Sequence, residues 1–242
     1  MGASSVSGDS SAEFGELRER VLAVNGALPG HGLVKLTSGN VSEIDRARGV
    51  MAIKPSGISY AAMTVDDIVV VEVESGEVVL GSRRPSSDTP THLVMYRSFD
   101  QIGGVVHTHS AHATAWAQAG REIPLLGTTH ADLTPWPVPV TRQLTAEEVQ
   151  SGYEESTGAV LAEAIAERGP VEMPCVLLRG HAPFCWGASA ASAVENAVWL
   201  EEVARIALMT RQIDPASPLL ADAVRDTHFG RKHGPGAYYG QA

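Results

Sequence analysis

Cysteine is nearly absent from this 242-residue chain: Cys175 and Cys185 stand alone. Two thiols are too few for a disulfide framework and fit a reducing compartment. Lysine is almost as scarce, with only Lys35, Lys54 and Lys232, and 28 acidic residues outweigh 18 basic ones to a net charge of −10. No basic run interrupts that acidity, which argues against nucleic acid and anionic membrane surfaces as partners. Nowhere do the roughly 18 consecutive apolar residues of a membrane helix occur. The opening MGASSVSGDSSAEF has neither a basic n-region nor an apolar h-region, so no secretory signal is expected and a cytoplasmic location is. Walker A and dinucleotide-binding glycine fingerprints are also missing, which disfavours nucleotide use. What is present is a globular composition, 44% hydrophobic and 19% charged, long enough to bury a core unaided.

Residues 1–12 are Ser/Gly-rich and apolar-poor and are expected to form a disordered tail. Leu17, Val21, Leu22, Val24 and Leu28 then recur at helical spacing until Pro29-Gly30. Short β-branched runs follow at Val50 to Ile53, Ile68 to Val71 and Glu77 to Leu80. Capping residues before Pro90 announce a helix through Leu93 and Tyr96. A buried strand is expected over Ile102 to His109, an Ala-rich helix over 111–119, a helix from about Thr145 to Glu167 and a strand at Cys175 to Leu178. A long helix from about Ala190 to Arg211 and a last helical stretch complete the pattern. With no repeat and no long linker, residues 13–242 read as one α/β domain, a β-rich centre flanked by helices.

Nine histidines remain, and they cluster. Side chains two apart on a strand share a face, so His107 and His109 project together where the chain leaves the sheet. Two such imidazoles can offer ring nitrogens to one cation, or they can simply be polar residues on a half-solvated strand. His181, closing another apolar strand beside Gly180, can supply a third ligand, and Asp88 a hard oxygen or a base. Three imidazoles favour zinc over magnesium or calcium. His31 sits in a Pro-Gly turn and is expected in solvent. His92 suits a structural hydrogen bond as well as ligation, and His112 is a candidate support for a ligand. His130 and Asp132 are expected in a loop. Cys175 and Cys185 have neither the spacing nor the exposure of ligands.

Three turns in the N-terminal half offer free N–H groups and hydroxyls to an anion: Ser38-Gly39-Asn40, Lys54-Pro55-Ser56-Gly57 and Ser86-Ser87. Each alone is an ordinary turn. Together, at strand-to-loop junctions, they suggest a phosphate pocket.

Six motifs in order then carry a resemblance: Leu-Thr-Ser-Gly-Asn-Val-Ser (36–42), Ile-Lys-Pro-Ser-Gly (53–57), Pro-Ser-Ser-Asp-Thr-Pro-Thr-His (85–92), Val-His-Thr-His-Ser (106–110), Gly-Thr-Thr-His-Ala-Asp (127–132) and Arg-Lys-His-Gly…Tyr-Tyr-Gly (231–240). From about residue 14 onward the chain resembles the class II aldolase/epimerase family, and its epimerase branch in particular. The resemblance implies an α/β fold with a central, mainly antiparallel β-sheet flanked by helices, and a homotetramer with active sites between subunits. It implies one zinc ion per subunit, or another divalent cation, on Asp88, His107, His109 and His181. It implies phosphate contacts from Gly39, Asn40, Ser56, Gly57, Ser86 and Ser87, with Lys54 close by. Asp132 and Tyr239 match the proton donor and acceptor, contributed by the adjacent subunit. Thr128 and His228 match further pocket residues, and Glu154 matches an acidic residue to which no role is assigned. The epimerase pattern carries tryptophan where this chain has Ser38, a substitution also found in related members.

The activity so implied is conversion of L-ribulose 5-phosphate to D-xylulose 5-phosphate. The C4–H of that substrate is not acidic, so inversion goes by breaking and remaking C3–C4, with the cation as Lewis acid. The nearest alternative is an aldolase of the same family acting on a ketose phosphate of the L-fuculose or L-rhamnulose type. Those aldolases carry a catalytic glutamate where this chain has Asp88, which favours the epimerase. A non-catalytic binding module of the same fold is disfavoured because all four ligand positions are filled.

Overall fold

A computed structural model describes residues 13–238, so the expected tail of residues 1–12 and Tyr239 lie outside the described residues. Helix α1 (Gly15–Ala27) leads into four strands, β1 (Asn40–Asp45), β2 (Val50–Ile53), β3 (Val69–Glu72) and β4 (Val78–Leu80). Helix α2 (Thr89–Ser98), strand β5 (Gly104–His107) and helices α3 (Ala111–Ala119), α4 (Thr128–Leu133), α5 (Ala146–Ile165) and α6 (Gly169–Glu172) follow. Strands β6 (Cys175–Leu177) and β7 (Pro183–Gly187) and helices α7 (Ala190–Ile213) and α8 (Asp222–His233) complete it. The seven strands form one sheet in the order β4-β3-β2-β1-β5-β7-β6, and every neighbouring pair is antiparallel. The expected α/β class and antiparallel sheet are therefore what the chain adopts.

The β-branched runs are continuous, not alternating, because the middle of the sheet is covered on both faces. Val105 packs with Leu93, Tyr96 and Val160 on the side of α2 and α5. Its neighbour Val106 packs with Ala113, Ala193 and Leu200 on the side of α3 and α7. Helix α1 covers β2 and β3 through Leu17 and Val21 against Ala52 and Val70. Burying a side chain of this size stabilises by about 1.5–3 kcal/mol, so this two-sided packing is what holds the sheet. At the start of α5, Thr145 and Glu148 form a reciprocal capping box, with bonds of 3.2 and 2.8 Å.

Four expectations need correction. The strand expected over Ile102 to His109 ends at His107, so His109 belongs to the following loop. Residues 128–133, expected as a loop, form α4. Helix α5 is interrupted at Gly152, whose backbone is extended. Two strands lie outside the runs expected: β1, within the β-like stretch before Leu80 but not delimited, lies in the middle of the sheet, and β7, not anticipated, lies between β5 and β6. No helix among the described residues is long and apolar enough to cross a membrane.

Candidate metal centre and phosphate cavity

The middle of the sheet brings the candidate residues to one end. In the β1–β5 ladder Asn40 is the register partner of His107, and in the β5–β7 ladder His107 partners Phe184. His107 is buried, and its ring stacks on Phe184 at 4.1 Å between centroids. Its Nδ1 donates to the Pro183 carbonyl at 3.0 Å, which leaves Nε2 as the unprotonated nitrogen. That atom lies 3.1 Å from Nε2 of His109, which in turn lies 3.2 Å from Nε2 of His181. On the far side of His181, Nδ1 is 2.8 Å from the Tyr153 hydroxyl.

Ligand nitrogens of His107, His109 and His181 all lie within 4.8 Å of one another. Burial pushes the His107 pKa down to about 3, and burial together with His109 lowers that of His181. Both imidazoles are thus neutral at physiological pH, the state a metal requires. If all three facing nitrogens present lone pairs, they repel at this distance unless a cation lies among them. The donor set, three imidazoles with a carboxylate nearby, fits a divalent transition metal such as zinc.

Asp88 lines the same cavity but stands outside that 4.8 Å group. Its Oδ2 accepts from Asn40 Nδ2 at 2.6 Å, which turns the carboxylate toward β1. Burial raises the Asp88 pKa, but His107, His92 and the Asn40 hydrogen bond outweigh it and hold the group below the usual carboxylate range. Asn40 also donates to Ser86 Oγ at 3.0 Å, while its own Oδ1 is buried without a hydrogen-bond partner. A buried acceptor left open at the cavity wall calls for a donor that the described residues do not provide.

The cavity, about 330 Å³, is shared between the histidines and the three turns expected to bind an anion, residues 37–40, 54–57 and 86–88. Gly39, Asn40, Lys54, Ser56, Gly57, Ser86 and Ser87 all line it. Backbone bonds stitch two of the turns together: Ser56 N donates to the Arg84 carbonyl at 2.9 Å, and Ser86 N to the Lys54 carbonyl at 3.1 Å. The Lys54 ammonium is buried against the Thr37 and Pro55 carbonyls at 3.2 and 3.3 Å, and burial lowers its pKa.

The remaining candidates collect elsewhere. Asp132, on α4, is held by α8: His228 Nδ1 is 3.1 Å from one carboxylate oxygen, Arg231 Nη2 3.1 Å from the other, and His233 Nε2 2.9 Å from the main-chain carbonyl. Thr128 begins α4. Neither Asp132, Thr128 nor His228 lines the histidine cavity within this chain. Glu154 accepts from Thr91 through its main-chain carbonyl. His112 bonds Glu201 at 2.7 Å and ties α3 to α7, away from the cluster. Buried His92 bonds Ser42 at 2.7 Å, and buried His130 bonds the Trp136 carbonyl. The sequence reading missed Tyr153 and Phe184. A glycine inside an otherwise helical run, directly before Tyr153, was the one signal that α5 breaks there.

The seven-stranded antiparallel sheet, with His107 at the end of β5 meeting His109 and His181 from neighbouring loops, points to a class, and residues 19–208 match the model of the class II aldolase and adducin N-terminal domain. The chain belongs to the class II aldolase family. Within it, L-ribulose-5-phosphate 4-epimerase UlaF of Salmonella paratyphi B is 54% identical over 226 residues, 93% of this chain and 99% of that protein. The protein of the same name from Salmonella typhi matches at the same identity and coverage. Among solved structures, an L-fuculose 1-phosphate aldolase matches with a TM-score of 0.76 at 25% identity, covering 89% of this chain and 95% of that one. The L-fuculose-1-phosphate aldolase of Thermus thermophilus matches with a TM-score of 0.64 at 27% identity, covering 82% and 99%.

Proposed function

We propose that the chain is a cytoplasmic, homotetrameric isomerase that interconverts L-ribulose 5-phosphate and D-xylulose 5-phosphate. The observation that carries this reading is the shared cavity: three convergent imidazoles open onto the same space as three anion-binding turns. A metal centre facing a phosphate cradle suits a small phosphorylated ketose and has no use in a binding module. The epimerase is favoured over an aldolase by near full-length identity of 54% to proteins named as epimerases, against 25–27% to structures named as aldolases. Asp88 in place of a glutamate points the same way.

A zinc ion, or another divalent cation, held by His107, His109 and His181 with Asp88 beside them supplies Lewis acidity at the carbonyl end of the substrate. The turns around Gly39, Ser56, Gly57, Ser86 and Ser87, with Asn40 and buried Lys54, hold the phosphate. A base takes the C4 hydroxyl proton, C3–C4 breaks, and a three-carbon fragment and glycolaldehyde phosphate result. The cradle keeps the phosphate in place while the aldehyde turns its other face. C3–C4 then re-forms with a proton returned to O4, so the product is an isomer with no atom gained or lost. Holding both fragments gives the effective concentration that makes rejoining faster than escape. Asp132 and Tyr239 of a neighbouring copy act as the two proton-transfer groups. Arg231 and His228 keep the Asp132 carboxylate oriented, with Thr128 on the same helix.

The test is product analysis by NMR with chelator-treated and zinc-reloaded protein. Metal-dependent formation of D-xylulose 5-phosphate is expected. Release of glycolaldehyde phosphate and dihydroxyacetone without epimer would make the chain an aldolase. No turnover of this substrate with zinc bound would overturn the reading.

A further inference from the structure

Of the three clustered imidazoles, His107 is fixed by the Pro183 carbonyl and by stacking on Phe184. His181 has no such strand-borne support, since it lies in the loop between β6 and β7. One side chain holds its far nitrogen: the Tyr153 hydroxyl, 2.8 Å from Nδ1, with the two rings nearly parallel at 12°. Tyr153 directly follows the Gly152 break, so its direction is set by the second segment of α5 and not by the turn before it.

A hydrogen bond between a phenol and an imidazole can run either way, and the two choices have opposite consequences. If the phenol donates to Nδ1, then Nε2 carries the ring proton and points an N–H at His109 Nε2, 3.2 Å away. If the imidazole donates, Nε2 presents a lone pair. Only the second arrangement lets all three ring nitrogens offer electrons to the same point. The phenol then needs an acceptor for its own proton. Thr157, one helical turn later, lies beside the phenol, and its buried Oγ1 has no hydrogen-bond partner among the described residues, which leaves it open to one.

We infer that Tyr153 is a positioning residue: its hydroxyl accepts the Nδ1 proton of His181 and passes its own toward Thr157, which fixes the His181 tautomer and ring orientation for metal binding. This rests on the metal reading of the histidine cluster above. Outer hydrogen-bond partners of this kind, when removed, typically weaken metal affinity about 10–100-fold.

The experiment is chelator competition for zinc on the full-length protein, comparing wild type, His181→Ala and Tyr153→Phe. The phenylalanine keeps the ring and its stacking and removes one oxygen. Tyr153→Phe is expected to bind zinc roughly 10–100-fold more weakly, with turnover returning toward the wild-type rate at saturating zinc. Wild-type protein that takes up no stoichiometric zinc would sink the metal reading itself. Tight wild-type binding, weakened in His181→Ala but unchanged in Tyr153→Phe, would overturn only the tyrosine inference. Turnover lost in Tyr153→Phe and not restored by saturating zinc would also overturn it, by giving the hydroxyl a role on the substrate.

Discussion

Gly39 joins the first of the three cavity-lining turns to β1, and replacing it by alanine tests how closely fold and site are coupled. Its φ is +80°, and a Cβ there would lie 2.7 Å from Val34 Cγ1 and 2.9 Å from the His107 carbonyl oxygen. The valine can shift, but the carbonyl cannot, because Asn40 and His107 are locked as register partners in the β1–β5 ladder. The left-handed backbone costs an alanine about 1 kcal/mol and the overlap about 2 more, roughly 3 in all. For a chain of this size that lowers the melting temperature by roughly 6–12 °C. Gly57 is the internal control: it lines the same cavity, its φ is +75°, and nothing stands within 4 Å of its would-be Cβ. Gly57→Ala therefore carries the backbone cost alone, about 1 kcal/mol and roughly 2–4 °C. Thermal melts of the metal-free proteins, run in parallel, read the difference. Zinc affinity should also fall more for Gly39→Ala, since the strained junction carries Asn40 and faces His107. Equal melting temperatures for the two variants would refute the close-approach argument.

Two further outcomes are expected. His130 is buried, and burial pushes its pKa down to about 4 against the hydrogen bonds to Trp136 and Pro124 that favour the charged form. The unfolded imidazole titrates near 6.5, so the unfolded chain binds the extra proton first; stability is full above about pH 6.5 and falls toward pH 4, by up to about 3 kcal/mol. Urea midpoints of metal-free His130→Gln should therefore lose less than wild type across that window, and parallel slopes would contradict the assignment. The other concerns Asp132, which within one chain is held by α8 away from the histidine cavity: if the site is shared, mixing inactive His107→Ala with inactive Asp132→Asn chains restores activity, and no recovery after subunit exchange would count against a shared site.

What was legible in the sequence was whatever depends on neighbours in the chain. The β-branched runs at 50–53 and 68–71, the helix start near Thr145 and the pairing of His107 with His109 are all local signals. The fold nonetheless brings the histidine pair together by a different geometry from the one their spacing suggests. His109 lies beyond the strand, and its ring meets His107 through the loop and not through the two-residue repeat of a sheet. Strand β1 escaped notice because it buries polar side chains, Ser42 against His92 and Tyr96, and Glu43 against Arg20 and the first N–H of α7. Such partners lie 23 to 147 residues away and leave no periodic trace. Strand β7 begins with Pro183 and ends with Gly187, which look like turn punctuation, although proline is tolerated as the first residue of a strand. Tyr153 was invisible for the same reason as β1: its partner His181 is 28 residues away.

The central claim, that this cavity epimerises a sugar phosphate by breaking and remaking a carbon–carbon bond, is tested most directly by running the conversion of L-ribulose 5-phosphate in D2O. Cleavage of C3–C4 never touches the C4–H bond, so NMR of the D-xylulose 5-phosphate formed should show protium retained at C4. Deuterium at C4 would mean that a carbon-bound proton is removed there, and would contradict the account.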